Sequence, residues 1–270
     1  MILPLYNSLA PLTINRLAVA AGPALDPDAQ AYIDAVELED GQALEDGVRT
    51  AINDFVVGCK DDGIWSAIKS ACILAGARTL DGALTPLVGS APTNNNFVSG
   101  DYDRETGLVG NQSTKYLDSN QSGDTASDSI NSFHLTINAT TVEASSNLAY
   151  GGVRDASNSP PSDSEILTNI LFINRGALSA TFSRSAGFHG SSRNGTSVDF
   201  RSAGSVQTIT NSPRIPSSLD IFFFARNLNG TANLFCNPRI SFYSIGGSID
   251  LADLDSRVST LMTDIAAAIP

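Results

Sequence analysis

Residues 219–227 read LDIFFFARN, and the fold turns on how that run is placed. Five successive residues, Ile221 to Ala225, are apolar, so in a strand both faces are apolar, because side chains alternate across the pleat. The run predicts a central strand covered on both sides. Short β-prone segments surround it: HLTINATTVEA at 134–144, ILFINRG at 170–176, ALSATFSR at 177–184, SVDFRSAG at 197–204, VQTIT at 206–210 and RISFYSIGG at 239–247. Clusters of Gly, Asn, Ser and Pro separate them, the spacing expected of an antiparallel sandwich.

Upstream, the period is that of a helix. Asp26 is the expected N-cap of a first helix, with Pro27 as its first residue and Asp28 where the helix dipole favours an anion. Tyr32, Ile33 and Val36 fall on one face. From near Gln42, Leu44, Val48, Ile52, Phe55, Val56 and Cys59 form a stripe of period near 3.6. Asp61, Asp62 and Gly63 interrupt it, and Ile64, Trp65, Ile68, Cys72 and Ile73 predict a third helix ending near Gly76. Downstream of the strands, Asp250 is an expected N-cap, followed by the stripe Leu251, Leu254, Val258, Leu261, Met262 and Ile265. The division expected is therefore an N-terminal docking arm at 1–25, a helical module at 26–80, a linker at 81–96, and an antiparallel β-sandwich with a C-terminal helix at 97–270.

Composition narrows the function. Sixteen Lys and Arg against 28 Asp and Glu give a net charge of -12 over 270 residues, which repels a phosphate backbone and argues against nucleic acid. No apolar run reaches 18 residues, so no membrane span is expected. The first 25 residues contain three prolines and lack an early cationic cluster, so they read as a partner-bound arm and not as a secretory signal. Cys59, Cys72 and Cys236 are odd in number and lack CxxC spacing, which indicates neither a disulfide framework nor a zinc site.

The stretch most like a site is GLVGNQSTKYLDSNQSGDTASD, Gly107 to Asp128. A phosphate loop needs lysine just before the hydroxyl, whereas Lys115 follows Ser113 and Thr114. A calcium loop needs oxygen ligands at alternate positions. Asp118, Asn120, Ser122 and Asp124 fit that spacing, with Gly123 at the turn, but Ser129 stands where a bidentate glutamate belongs. These four are the candidate ligands for Ca2+; otherwise the loop is an exposed polar turn, and no other cofactor is expected. No catalytic residue is assigned. His134 should point away from Phe133, Leu135 and Ile137 as a solvent-facing or hydrogen-bonded structural histidine, and His189 reads as a turn residue. Tyr150 with Arg154, Phe188 with Arg193, and Arg226 with Asn227 could stack on a sugar or pack inside the sandwich. Five sequons, at Asn111, Asn120, Asn138, Asn194 and Asn229, matter only on a eukaryotic secretory route.

Three passages carry a resemblance. DGVRTAINDFVVGCKDDGIWSAIKSACILAGARTLDGALTPLVG, FVSGDYDRETGLVGNQSTKYLDSN and ARNLNGTANLFCNPRISFYSIGGSIDLADLDSRVSTLMTDI together resemble virion proteins of tailed bacteriophages and related prophages. The second and third resemble the first and last parts of a concanavalin A or laminin-G-like jelly roll. The resemblance implies that GLVGNQSTKYLDS forms an early strand pair and that RISFYSIGGSIDLADLD is the last strand leading into a helix. It further implies a structural protein and not an enzyme, located in the virion: a tail fibre, spike or baseplate-associated component for host attachment, with the sandwich facing the host. Head decoration and a polysaccharide depolymerase are the alternatives. Expected partners are further copies of the chain, as a homo-oligomer and most plausibly a trimer, other virion proteins through the arm and helices, and a host surface glycan.

Overall fold

The computed structural model describes residues 24–156, 162–168, 170–172 and 179–270. The docking arm expected at 1–25 lies outside them except for its last two residues. Two antiparallel sheets face one another, and a layer of helices covers the outer face of one.

The helical start follows its capping residues. The Asp26 side chain accepts from the Asp28 N–H, Pro27 opens helix α1 (Pro27–Asp40), and Gly41, at φ 67°, closes it in the left-handed region. Helix α2 (Asp46–Asp61) begins four residues later than Gln42; its N-cap Glu45 has extended backbone and pairs with Arg78 and Arg104. The third helix is a correction. After one 3-10 turn at Trp65–Ala67 the chain becomes strand β1 (Ile68–Ile73), inserted in a sheet. Both of its faces are buried, one by the opposite sheet and one by the helices, so its apolar residues lose the period of two and imitate a short buried helix.

The expected linker 81–96 carries structure as well: most of the single-turn helix α3 (Leu80–Ala83) and strands β2 (Pro86–Val88) and β3 (Thr93–Asn95). The remaining strands are β4 (Tyr102–Asp103), β5 (Gly107–Val109), β6 (Tyr116–Ser122), β7 (Ser132–Ala139), β8 (Ala149–Asp155), β9 (Ser162–Leu167), β10 (Ile170–Phe172), β11 (Ala180–Thr181), β12 (Gly187–Asn194), β13 (Ser197–Ser202), β14 (Ser205–Thr210), β15 (Asp220–Phe223), β16 (Arg226–Leu228), β17 (Thr231–Asn233) and β18 (Arg239–Gly246), with the short helix α4 (Gly123–Ala126) between β6 and β7. Sheet I runs β14-β13-β12-β7-β18-β1-β2, with β5 on β18 and β4 on β5; sheet II runs β11-β10-β9-β8-β15-β6-β3, with β16 on β8 and β17 on β16.

The run at 221–225 forms a central strand, β15, between β8 and β6. It is shorter than the apolar run, because Phe224 adopts φ 66° and ends it. Ile221 and Phe223 enter the core between the sheets, where Phe223 stacks on Tyr243 of β18 at 4.0 Å between centroids. The segment 107–119 does not form a strand pair: β5 pairs with β18 in sheet I, and β6 with β15 and β3 in sheet II. Asn111 folds the connection, its side-chain oxygen accepting the N–H groups of Ser113, Thr114 and Lys115.

The last strand leads directly into helix α5 (Leu251–Ala268), where Asp250 accepts from the Ala252 and Asp253 N–H groups. Leu254, Val258, Leu261 and Ile265 are buried against α2 and the outer face of sheet I. Phe55 of α2 meets Phe242 of β18 edge-on at 5.6 Å, and Arg257 clamps Asp62 with two hydrogen bonds of 2.6 and 2.8 Å. The result has three layers: helices, sheet I and sheet II.

Candidate functional site

Residues singled out for chemistry are mostly absorbed by the interior. His134 is fully buried, bonded to the Gly247 carbonyl and to Ser244 Oγ at 3.0 Å, as a structural histidine. His189 is a correction: it lies within β12, 2% exposed, bonded to Ser202 Oγ at 2.8 Å and the Ser185 carbonyl at 3.0 Å, and stacked on Tyr150. The glycines around it, which suggested a turn, belong to the strand; a Cβ at Gly190 would press on Thr136 and Leu251. Burial pushes both imidazoles down to about 4, so they are neutral near pH 7. The three cysteines are free and buried, and burial pushes the Cys59 thiol up to about 12, removing thiolate chemistry.

Of the three aromatic and arginine pairs, Phe188 with Arg193 is wholly interior, whereas Tyr150 is buried but Arg154 stays partly exposed. Tyr150, Phe188 and Arg193 are at most 1% exposed. Arg226 is bound to Asn233 Oδ1 at 3.0 Å and to the carboxylate of Glu165 at 3.2 Å.

The loop carrying the candidate Ca2+ ligands, the alternative being a polar turn, is tied by hydrogen bonds within itself and to the neighbouring chain at Ala91. Asp118 Oδ1 accepts the Asn120 N–H at 2.9 Å, Asn120 Nδ2 donates to the Ala91 carbonyl at 2.8 Å, and Ser122 Oγ donates to Asp124 Oδ1 at 2.6 Å. Among the described residues no three His, Cys, Asp or Glu side chains come together as metal ligands. Lys115, the lone cation of that stretch, is paired with Asp101.

Functional capacity is concentrated on the outer face of sheet II. Leu117 and Ser119 point into the sandwich, so Tyr116 and Asp118 point outward; on β15, Phe222 and Asp220 do the same. The register places Glu165, Gly152, Phe222, Asp118 and Thr93 in one row across β9, β8, β15, β6 and β3; Glu165, Gly152 and Phe222 are buried, so the row opens to solvent only at Asp118 and Thr93. Gly152 holds φ 148°, and a Cβ there would lie 2.6 Å from the Ser164 carbonyl oxygen, so only glycine permits that close crossing. Tyr116 packs on Phe222 at 4.8 Å and meets Phe235 edge-on at 6.1 Å. Tyr116 and Phe235 remain half-buried, with one side toward solvent. Partial burial, and then the charge of Asp220, raises the Asp118 carboxyl; burial, and then Asp124, raises Asp220. An aromatic cluster beside carboxylates can stack on an apolar ring face and accept hydrogen bonds from hydroxyl groups. Sequence reading missed it because Tyr116, Phe222 and Phe235 lie on three separate segments.

No family model matches the chain, and no curated protein does. The solved structures that show likeness include two arabinofuranosidases. One is a mutant of a GH54 α-L-arabinofuranosidase soaked with 4-nitrophenyl α-L-arabinofuranoside, at 13% identity over 60% of this chain and 40% of that one, with a TM-score of 0.29. The other is an arabinofuranosidase complexed with arabinofuranosyl-α-1,2-xylobiose, at 13% identity over 75% and 43%, with a TM-score of 0.28. This chain thus spans about two fifths of each, and at these scores the likeness assigns neither family nor activity. No helix among the described residues is long and apolar enough to cross a membrane.

Proposed function

We propose that this chain is a non-enzymatic structural protein of a tailed-bacteriophage virion, a tail fibre, spike or baseplate-associated component that presents sheet II to a glycan of the host surface. The observation that supports this reading is the two-sidedness of the sandwich. Helices α1, α2 and α5 cover sheet I, whereas sheet II leaves Tyr116 and Phe235 half-exposed over the buried Phe222, beside the partly exposed Asp118 and Asp220 carboxyls. In the assembly the helical layer faces neighbouring virion proteins and further copies of the chain, as a homo-oligomer.

The test is binding of purified protein to host cells and their isolated surface polysaccharide. Saturable binding that falls at least tenfold in Tyr116→Ala, without release of reducing ends, is the expected result. Release of reducing ends would replace this reading with a depolymerase. Absence of binding, together with loss of capsid stability when the protein is omitted, would replace it with head decoration.

A further inference from the structure

Strand β12 carries a polar file into an apolar interior. Phe188 joins the helix-side core, a Cβ at Gly190 would touch Leu251 of α5, and Ser192 Oγ donates to the Ile249 carbonyl, so these three face the helices. His189, Ser191 and Arg193 therefore face sheet II. The register flanks Arg193 with Phe133 and Val198, and Ser191 with Leu135 and Phe200, all four of them core residues.

Ser191 and Arg193 are both 0% exposed. Arg193 spends one nitrogen on the chain: Nη1 donates to the carbonyls of Gly195 at 3.2 Å and Asn211 at 2.9 Å. Its Nε and Nη2, and Ser191 Oγ, have no hydrogen-bond partner. Three donor-capable atoms are thus enclosed, unpartnered, on adjacent positions of one strand face. Guanidinium does not surrender its proton in a protein, and an unpaired buried charge is strongly destabilising. Burial pulls Arg193 below its ordinary value with no carboxylate acting against it.

We infer that Arg193 and Ser191 form an internal site for a small monovalent anion of chloride size, held between the sheets by Arg193 Nε and Nη2 and Ser191 Oγ. One guanidinium matches one negative charge. Arg193 and Ser191 stand two apart on the strand, so both side chains leave the same face of sheet I. Full enclosure selects an ion trapped as the sheets close over a ligand that enters by a mouth.

The experiment measures thermal unfolding of the full chain while chloride replaces gluconate at constant ionic strength, and crystals grown in bromide are examined for an anomalous difference peak. The expected results are a melting temperature rising roughly 3–6 °C per tenfold increase in chloride once the site saturates, a bromide peak between Arg193 and Ser191, and no chloride dependence in Arg193→Met. Equal chloride responses in wild type and variant, or water alone at that position in bromide crystals, would overturn the site. If Arg193→Met does not fold, Ser191→Ala, expected to weaken the chloride response, and the wild-type bromide peak decide.

Discussion

Truncating Leu254 to alanine tests whether the helical layer is part of the folded core. Leu254 is 0% exposed, on the face of α5 that packs against α2 and sheet I. Removing its three terminal carbons forfeits about 2.4 kcal/mol at about 0.8 per carbon. The cavity left in a layer pinned by the Arg257–Asp62 clamp adds about 1 kcal/mol. The expected loss is thus about 3.5 kcal/mol, equivalent to roughly 7–14 °C in melting temperature for a domain of this size. Urea unfolding followed by circular dichroism measures it, with Thr260→Ala, on the exposed side of the same helix, as a control within about 0.5 kcal/mol of wild type. Leu254→Asp should cost more, because it adds a buried carboxylate. A loss below about 1 kcal/mol for Leu254→Ala would refute the reasoning, showing that α5 peels from the sandwich without opening the core.

Three further outcomes follow from the interior. His134 and His189, both held near 4 against an unfolded value near 6.5, bind fewer protons folded than unfolded. Their contribution is therefore full above pH 6.5 and lost as pH falls toward 4, by roughly 2–3 kcal/mol per histidine between pH 6.5 and 4.5; His189→Gln should flatten that slope in urea titrations, and identical slopes would contradict it. Arg226→Met strands the buried Glu165 and should destabilise by roughly 3–5 kcal/mol, whereas Arg226→Met with Glu165→Leu should recover most of the loss; a double variant no better than the single one would argue against the pairing. The buried cysteines should ignore an aromatic disulfide reagent in native buffer and all three should react in denaturant, so rapid native labelling would show an accessible thiol.

How much of this was legible depends on what each residue's surroundings contribute. Capping is local, so Asp26, Pro27 and Asp250 announced their helices correctly. The stripe on α5 was readable because one of its faces stays in water. Strand β1 was not: covered on both sides, it keeps no alternation, and only its pairing with β18 reveals it. For the same reason the sandwich as a class was legible, but the division of β5 and β6 between two sheets was not. The burial of both histidines depends on sheet partners and hydrogen bonds far away in the chain, which the sequence does not display. The aromatic cluster is assembled by the pairing of β6 with β15 and by the loop after β17 that brings in Phe235.

The insertion of β1 between β18 and β2 has a consequence for synthesis. β1 closes on β18, and α2 on α5, across some 170 to 210 residues. When the first two helices leave the ribosome, the strand and helix they rest on have not been made. Pairings this distant make folding slow and leave apolar surface waiting. The early helices are thus the stretch that a chaperone would have to shelter until the end of the chain emerges.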